Sequence, residues 1–256
     1  MMLEIRDLCV RYGKRRPLVL NGAELQLDKG EIGVLLGRNG SGKTTLFKTV
    51  LGILKPQRGT IRIDGRDLFG MSRRERAGYI AYVPQDIGFG ALSVYDTVLS
   101  GRMAYFGLRS GKTDAEAVER ILKDMRLEDL AMRNVEQLSG GERQKVAIAR
   151  ALAQEPRILI FDEPTGNLDI GNEQLILSEA RRLAREKGIC ILTSLHDFNE
   201  ALELGDRFFF LKDGKVRYTG GEEIVTEDVI RDVFDANVRI VKAENKTIIL
   251  KGGEPL

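Results

Sequence analysis

The chain has 256 residues, with 40 basic and 38 acidic side chains, a net charge of +2, 43% hydrophobic residues and 30% charged ones. This is the composition of a globular protein, long enough for one large domain or two small ones, and the near balance of charge argues against a generic nucleic-acid binder, which carries a strong basic excess. Cys9 and Cys190 are isolated and lack metal-ligand spacing, against a disulfide framework or zinc site, and no apolar run reaches the ~18 residues that a membrane span needs.

The N-terminus, MMLEIRDLCV, alternates apolar and polar residues as a strand does and lacks the apolar core of a signal peptide. A protein kept in a reduced cytoplasm is expected, free to dock onto a membrane protein. Residues 2–10 and 18–27 read as strands around the charged turn RYGKRRP. EIGVLL (31–36) is a short buried strand between Gly30 and Gly37, and KTTLFKTVLG follows with helical periodicity and a stop at Gly52. GTIRIDG (59–65) and YIAYV (79–83) are further strands. The pattern turns helical from about Thr113 to Met132, and again through ERQKVAIARALAQ (142–154), which stops before Pro156. RILIF (157–161), GICILT (188–193) and RFFFL (207–211) are buried strands, the first two separated by an amphipathic helix over about 172–187. A hairpin turns at Asp213-Gly214, residues 222–234 read as helix, and VRIVKA and KTIILK close the chain as a strand pair.

Strands alternating with helices predict an α/β fold with a largely parallel sheet. Residues 86–155, mostly helical between two strands, read as a helical subdomain inserted into it.

GRNGSGKT (37–44) fits the phosphate-loop pattern G-x-x-x-x-G-K-[ST] and lies directly after a strand and at the opening of a helix. Gly37, Gly40 and Gly42 let the backbone wrap around phosphate and turn amide groups inward, where the start of the helix adds positive partial charge. Lys43 suits the β- and γ-phosphates, and the Thr44 hydroxyl suits Mg²⁺. Asn39, Ser41 and Thr45 complete the candidate nucleotide contacts. RILIFDE (157–163) delivers two carboxylates to the end of a buried strand, the edge where parallel sheets place ligands. Asp162 suits Mg²⁺, directly or through water. Glu163 points differently and suits activation of an attacking water.

LSGGERQ (138–144) forms a second candidate anion site at a helix start. Ser139 and Glu142 have capping-box spacing, but a cap does not require Gly140 and Gly141, and their entropic cost suggests close approach by something. Here the sequence resembles the nucleotide-binding subunits of ABC transporters over nearly its whole length. The phosphate loop, Gln85 in YVPQD, LSGGERQ, ILIFDEPT, GNLD (166–169) and SLHD occur in the family's order.

The resemblance implies a P-loop NTPase core with a mostly parallel sheet, an N-terminal antiparallel β subdomain and the inserted helical subdomain. On this reading residues 1–220 are the ATP-binding domain, and 221–256 form a short extension of helix and β-hairpin. It implies that ATP with Mg²⁺ is bound and hydrolysed in a head-to-tail dimer with a second copy, where Ser139, Gly140 and Gly141 meet the partner's γ-phosphate. Tyr12 would stack on adenine, Gln85 would contact Mg²⁺ and sense movement of the helical segment, and Asp169 would lie where the subunits communicate. His196, the only histidine in the chain, lies beyond the strand GICILT and would contact the γ-phosphate and fix Glu163 and the attacking water.

SRRERAGYIAYVPQ (72–85), SVYDTVLSGRMAYFG (93–107) and EEIVTEDVIRDVFDANVRI (222–240) resemble importer cassettes for iron–siderophore, haem and cobalamin chelates. The expected partners are transmembrane permease subunits at the cytoplasmic face of the membrane and, indirectly, a substrate-binding protein. An exporter cassette or a soluble ATPase of the same family are the alternatives. Ile87, Phe89 and Leu92 either line a groove for the permease or pack the subdomain's own core. Two residues depart from the family pattern: Arg38, where proline is common, and Gly171, where a bulkier residue is usual.

Overall fold

The computed structural model describes residues 1–13, 15–85, 88–105, 110–166, 168–243 and 246–252. Strands β1 (Leu3–Val10), β2 (Leu20–Leu27), β4 (Arg58–Ile63) and the short β5 (Arg66–Asp67) form an antiparallel sheet in the order β2-β1-β4-β5. Alternation puts Leu3, Ile5, Leu25, Leu27, Ile61 and Ile63 on one face, where they pack with Leu46, Phe47 and Val50 of α1 (Lys43–Val50). The antiparallel N-terminal sheet is therefore in place.

The second sheet contains β3 (Ile32–Leu36), β6 (Ile80–Val83), β7 (Ile158–Asp162), β8 (Cys190–Ser194), β9 (Arg207–Lys212) and β10 (Lys215–Gly220), in the order β10-β9-β3-β8-β7-β6. All neighbours pair in parallel except β10, which folds back on β9. The turn between them holds Asp213 and Gly214 at φ +50° and +73°, the handedness a tight hairpin requires. Every residue of β3, β7 and β8 is buried. Covering on both faces explains why these strands read as continuous apolar runs rather than alternating ones.

Between β6 and β7 the described residues form α3 (Val94–Ser100), α4 (Lys112–Asp124) and α5 (Gly140–Leu152), with 3-10 turns and no strand beyond an isolated Ser93–Asn134 bridge. α2 (Arg73–Tyr79) leads into β6. α6 (Ile170–Lys187) joins β7 to β8, α7 (Phe198–Leu204) precedes β9, and α8 (Glu227–Phe234) leads to the closing hairpin β11 (Val238–Ala243) and β12 (Lys246–Lys251). Phe89 packs against the larger core and Leu92 is 44% exposed; Ile87 lies outside the described residues.

Two helices expected as continuous are interrupted. The 113–132 segment stops at Asp124 because Arg126 takes φ +54° and a Schellman cap closes the end: Leu127 N donates to Leu122 O at 2.8 Å, and Arg126 N to Lys123 O at 3.1 Å. Leu122 and Leu127 are both buried, so apolar contact across the cap outweighs helical continuation. The 222–234 segment breaks after a 3-10 turn at Glu222–Ile224, and α8 starts afresh on Thr226, whose side chain accepts from Val229 N.

Arg102, only 5% exposed, joins the helices of the inserted segment. Its Nε donates to Asp114 Oδ1 at 3.1 Å on α4, and its Nη1 to Ala153 O at 3.1 Å and Glu155 Oε1 at 2.7 Å beyond α5. The guanidinium also lies 4.2 Å from the Tyr105 ring centroid. Arg102→Ala strands Asp114 and is expected to cost about 2–4 kcal/mol. A urea midpoint unchanged from wild type would show that the cluster contributes nothing to stability.

Candidate active site

The phosphate loop occupies the bend from β3 into α1. Gly37 must be glycine because an added Cβ would stand 2.5 Å from the Leu211 carbonyl and 2.7 Å from Ser41 Oγ. Gly40 and Gly42 hold φ of +82° and +113°, which tighten the turn over Asn39 and Ser41. Gly42 is the N-cap of α1 and provides no side-chain cap, and no acidic residue lies in the first turn. The amides at this helix start are thus left to a ligand. Ser41 Oγ is buried without a hydrogen-bond partner. Uncapped amides and an orphaned hydroxyl on one loop fit a phosphate chain.

Lys43 is 8% exposed and folds back, donating to Gly37 O at 2.6 Å. Burial pulls its pKa down, and the carboxylates of Glu163 and Asp162 push it up, so both acids act on this ammonium. Thr44 lies exposed and Thr45 buried at the same helix start. The Tyr12 hydroxyl lies 3.2 Å from Thr45 Oγ1, which puts this 39% exposed ring beside α1.

β7 carries Asp162 in register with Ser194 of β8. Asp162 Oδ1 accepts from Ser194 Oγ at 2.8 Å and Oδ2 from the Tyr82 hydroxyl at 3.2 Å. Burial and then the Asp162 charge push the Tyr82 phenol up to about 12, so it remains a donor. Glu163 leaves the strand at φ +51°, a left-handed conformation costing about 1 kcal/mol for a residue with a side chain. Its amide is held at 3.2 Å by both the carbonyl and the hydroxyl of Ser194. The turn aims the side chain at His196, and His196 Nε2 meets Glu163 Oε1 at 2.6 Å. Glu163 is 13% exposed and His196 57% exposed, so the pair has a largely covered base and an accessible imidazole. Gln85 lies near the same turn, its Nε2 3.7 Å from where a Cβ on Gly166 would stand.

The structure thus brings Lys43, Asp162, Glu163 and His196 together. Ser194 and Tyr82 were not singled out from sequence, because their roles depend on which strands pair with β7. A serine at the end of the neighbouring parallel strand was the available signal for Ser194.

The second helix start differs. Ser139 caps α5: its hydroxyl accepts from Glu142 N at 3.3 Å, while its own amide and hydroxyl donate to Glu142 Oε2 at 2.9 and 2.8 Å. These bonds hold the Glu142 carboxyl below its usual range. Gly141 has an internal reason to lack a side chain, because a Cβ there would stand 1.9 Å from Asn172 Oδ1. Gly140 is exposed. Asn172 belongs to the cap of α6, where Asp169 accepts from Asn172 N at 2.9 Å and from Asn172 Nδ2 at 2.8 Å. Asp169 and the LSGG segment are therefore linked through one amide side chain. That cap also starts α6 at Ile170, two residues before the expected helix.

A phosphate loop and a paired base at the carboxyl edge of a parallel sheet define a nucleoside-triphosphate-binding protein. Residues 20–166 match the ABC transporter family. An uncharacterized ABC transporter ATP-binding protein of Methanocaldococcus jannaschii is 37% identical over 253 residues, covering 99% of each chain. A hemin import ATP-binding protein of Myxococcus xanthus is 34% identical over 269 aligned residues, covering 100% of this chain and 99% of its own. Among solved structures, a dimeric ATP-binding cassette in a post-hydrolysis state with ADP and Pi has a TM-score of 0.73 and 29% identity, covering 86% of this chain and 98% of that one. The chain belongs to the ABC transporter family, as an ATP-binding subunit.

Proposed function

We propose that this chain is the ATP-hydrolysing subunit of an importer for a metal chelate of the iron–siderophore, haem or cobalamin type. It works as an ATP-bridged head-to-tail dimer on permease subunits at the cytoplasmic face of the membrane, and a substrate-binding protein delivers the cargo. Residues 1–220 serve as the cassette, with 86–155 as its helical subdomain, and 221–256 as an extension. The observation that carries the enzymatic reading is the 2.6 Å Glu163–His196 contact beside Lys43 and Asp162. The full-length likeness to a hemin import protein supports the cargo class.

The loop amides and Lys43 hold the β- and γ-phosphates, with Asn39, Ser41 and Thr45 at the loop's edges and Tyr12 against the base. Thr44, Gln85 and Asp162 would hold Mg²⁺, which when bound supplies charge neutralisation across the phosphate oxygens. Ser194 and Tyr82 fix both oxygens of Asp162, so its orientation is set before nucleotide arrives. Glu163 accepts a proton from water as the water oxygen bonds to the γ-phosphorus and the bond to the β–γ bridging oxygen breaks, leaving ADP and phosphate. His196 holds Glu163 in the rotamer that faces this water. Ser139, Gly140 and Gly141 meet the partner's γ-phosphate, and Asp169 lies at the subunit boundary.

Affinity capture of tagged Glu163→Gln from detergent-solubilised native membranes, with Mg-ATP present, tests the assembly. The expected result is co-purification of a polytopic permease and a substrate-binding protein that retains a metal chelate. An export-type permease would overturn the import reading, and the absence of any membrane protein would overturn the transport reading.

A further inference from the structure

α7 stands between the reacting end of the sheet and the C-terminal segment. Its cap, Asp197, directly follows His196 and accepts from Asn199 N at 2.7 Å and Glu200 N at 3.1 Å. Glu200 Oε2 accepts from the Thr165 hydroxyl at 2.6 Å, which ties the turn after Glu163 to the same helix. Toward the C-terminal hairpin, Asn199 imitates a strand neighbour. Its side-chain Nδ2 donates to Ile249 O at 3.1 Å and its side-chain Oδ1 accepts from Ile249 N at 2.8 Å. The preceding residue, Phe198, meets Phe234 edge to face with ring centroids 4.9 Å apart.

Phe234 ends α8, and the next residue reaches the phosphate loop. Asp235 takes φ +52° in the left-handed cap of α8, and its carboxylate is ion-paired with Arg38, the second residue of GRNGSGKT. A cleft of about 340 Å³ separates this helix end from the loop, walled by Asn39, Ser41, Lys212 and Val233, and the Arg38–Asp235 pair stands at it. α8 is itself anchored on the sheet. Lys212 Nζ donates to Asp232 O at 2.6 Å and to Asp232 Oδ1 at 2.9 Å, the Tyr218 hydroxyl bonds Asp232 Oδ2 at 3.2 Å, and Ile230 and Val233 are buried.

We propose that the C-terminal segment, in the described residues 222–243 and 246–251, is a positioning clamp for the ATP site. Asp235 holds the phosphate loop through Arg38, while Phe234 and the hairpin hold the helix behind His196 through Phe198 and Asn199. The clamp rests on the reading that the loop binds ATP and that His196 supports hydrolysis. The two arms act on different steps. The loop arm removes disorder that nucleotide binding would otherwise have to quench, and so sets KM. The histidine arm fixes the geometry of the Glu163–His196 pair, and so sets kcat.

Steady-state ATPase titrations of the full chain separate the arms. Asp235→Asn keeps a residue suited to the left-handed cap and removes only the charge, so the fold is retained. It is expected to raise the KM for ATP about threefold at low salt with kcat unchanged, the size of effect an exposed ion pair exerts. The difference from wild type should close at about 1 M salt, where the screening length falls to about 3 Å. Asn199→Ala loses two hydrogen bonds and is expected to lower kcat about fivefold with KM unchanged. Unchanged KM and kcat in both variants would overturn the clamp and leave the ATPase reading standing, as would a joint loss of both parameters that tracks thermal midpoint. A wild-type chain that binds and hydrolyses no ATP would overturn the ATPase reading, and the clamp with it.

Discussion

Glu163→Gln is expected to lower steady-state ATP hydrolysis by about 10²–10⁴-fold, the range associated with loss of a positioned general base. The amide keeps the shape of the side chain and a carbonyl oxygen to accept from His196, so the turn at φ +51° and the 2.6 Å contact have no reason to rearrange. What disappears is the capacity to take a proton from water. Lys43 also loses one of the two carboxylates that raise its pKa, while keeping Asp162. Nucleotide affinity should therefore remain near the wild-type value in a fluorescent-ATP titration, and ATP-bound dimer should accumulate on size exclusion. Turnover within tenfold of wild type would remove Glu163 from the role of base.

Gly141→Ala is the second large effect, and it separates two reasons for one glycine. The new Cβ would stand 1.9 Å from Asn172 Oδ1 and 3.1 Å from Asn172 Cβ, so the amide must swing away and give up its 2.8 Å bond to Asp169. A stability loss of about 1–3 kcal/mol is expected, as for other overpacked sites, together with a severe loss of turnover. Adding Asn172→Ala makes room, and the thermal midpoint should recover most of its loss. Turnover should not recover, because on the proposed reading a side chain would still stand where the partner's phosphate is expected to approach. Full recovery of activity in the double variant would show that Gly141 serves packing within its own subunit alone.

The features legible in sequence are those whose chemistry lies in one short stretch. GRNGSGKT carries its loop, its lysine and its helix start within eight residues, and RILIFDE carries a strand and both acids. The hairpin at Asp213-Gly214 and the closing strand pair were legible for the same reason. Ser194 and Tyr82 were not, since each acts on Asp162 from a neighbouring strand and nothing local to TSLHD or IAYV states the sheet order. The steric partner of Gly141 lies 31 positions away, at Asn172, and periodicity cannot report such a contact. The break at Arg126 was hidden because arginine gives no local sign of a left-handed backbone; the cap is stabilised by burial of Leu127 against the helix it ends.

The two helix starts assigned to nucleotide differ in one respect that sets an order of events. α1 begins on Gly42 with no side chain over its amides. α5 begins under its own Glu142, which already engages the amide and hydroxyl of Ser139, bonds that pull its carboxyl pKa below the usual range. A phosphate reaching the first meets an empty seat; one reaching the second must displace a like charge. Nucleotide on the proposed reading thus loads one subunit first and recruits the other afterwards, and the empty proteins have little cause to close on each other. On that same reading the capping box at Ser139 would be a threshold against idle closure, set by a single carboxylate.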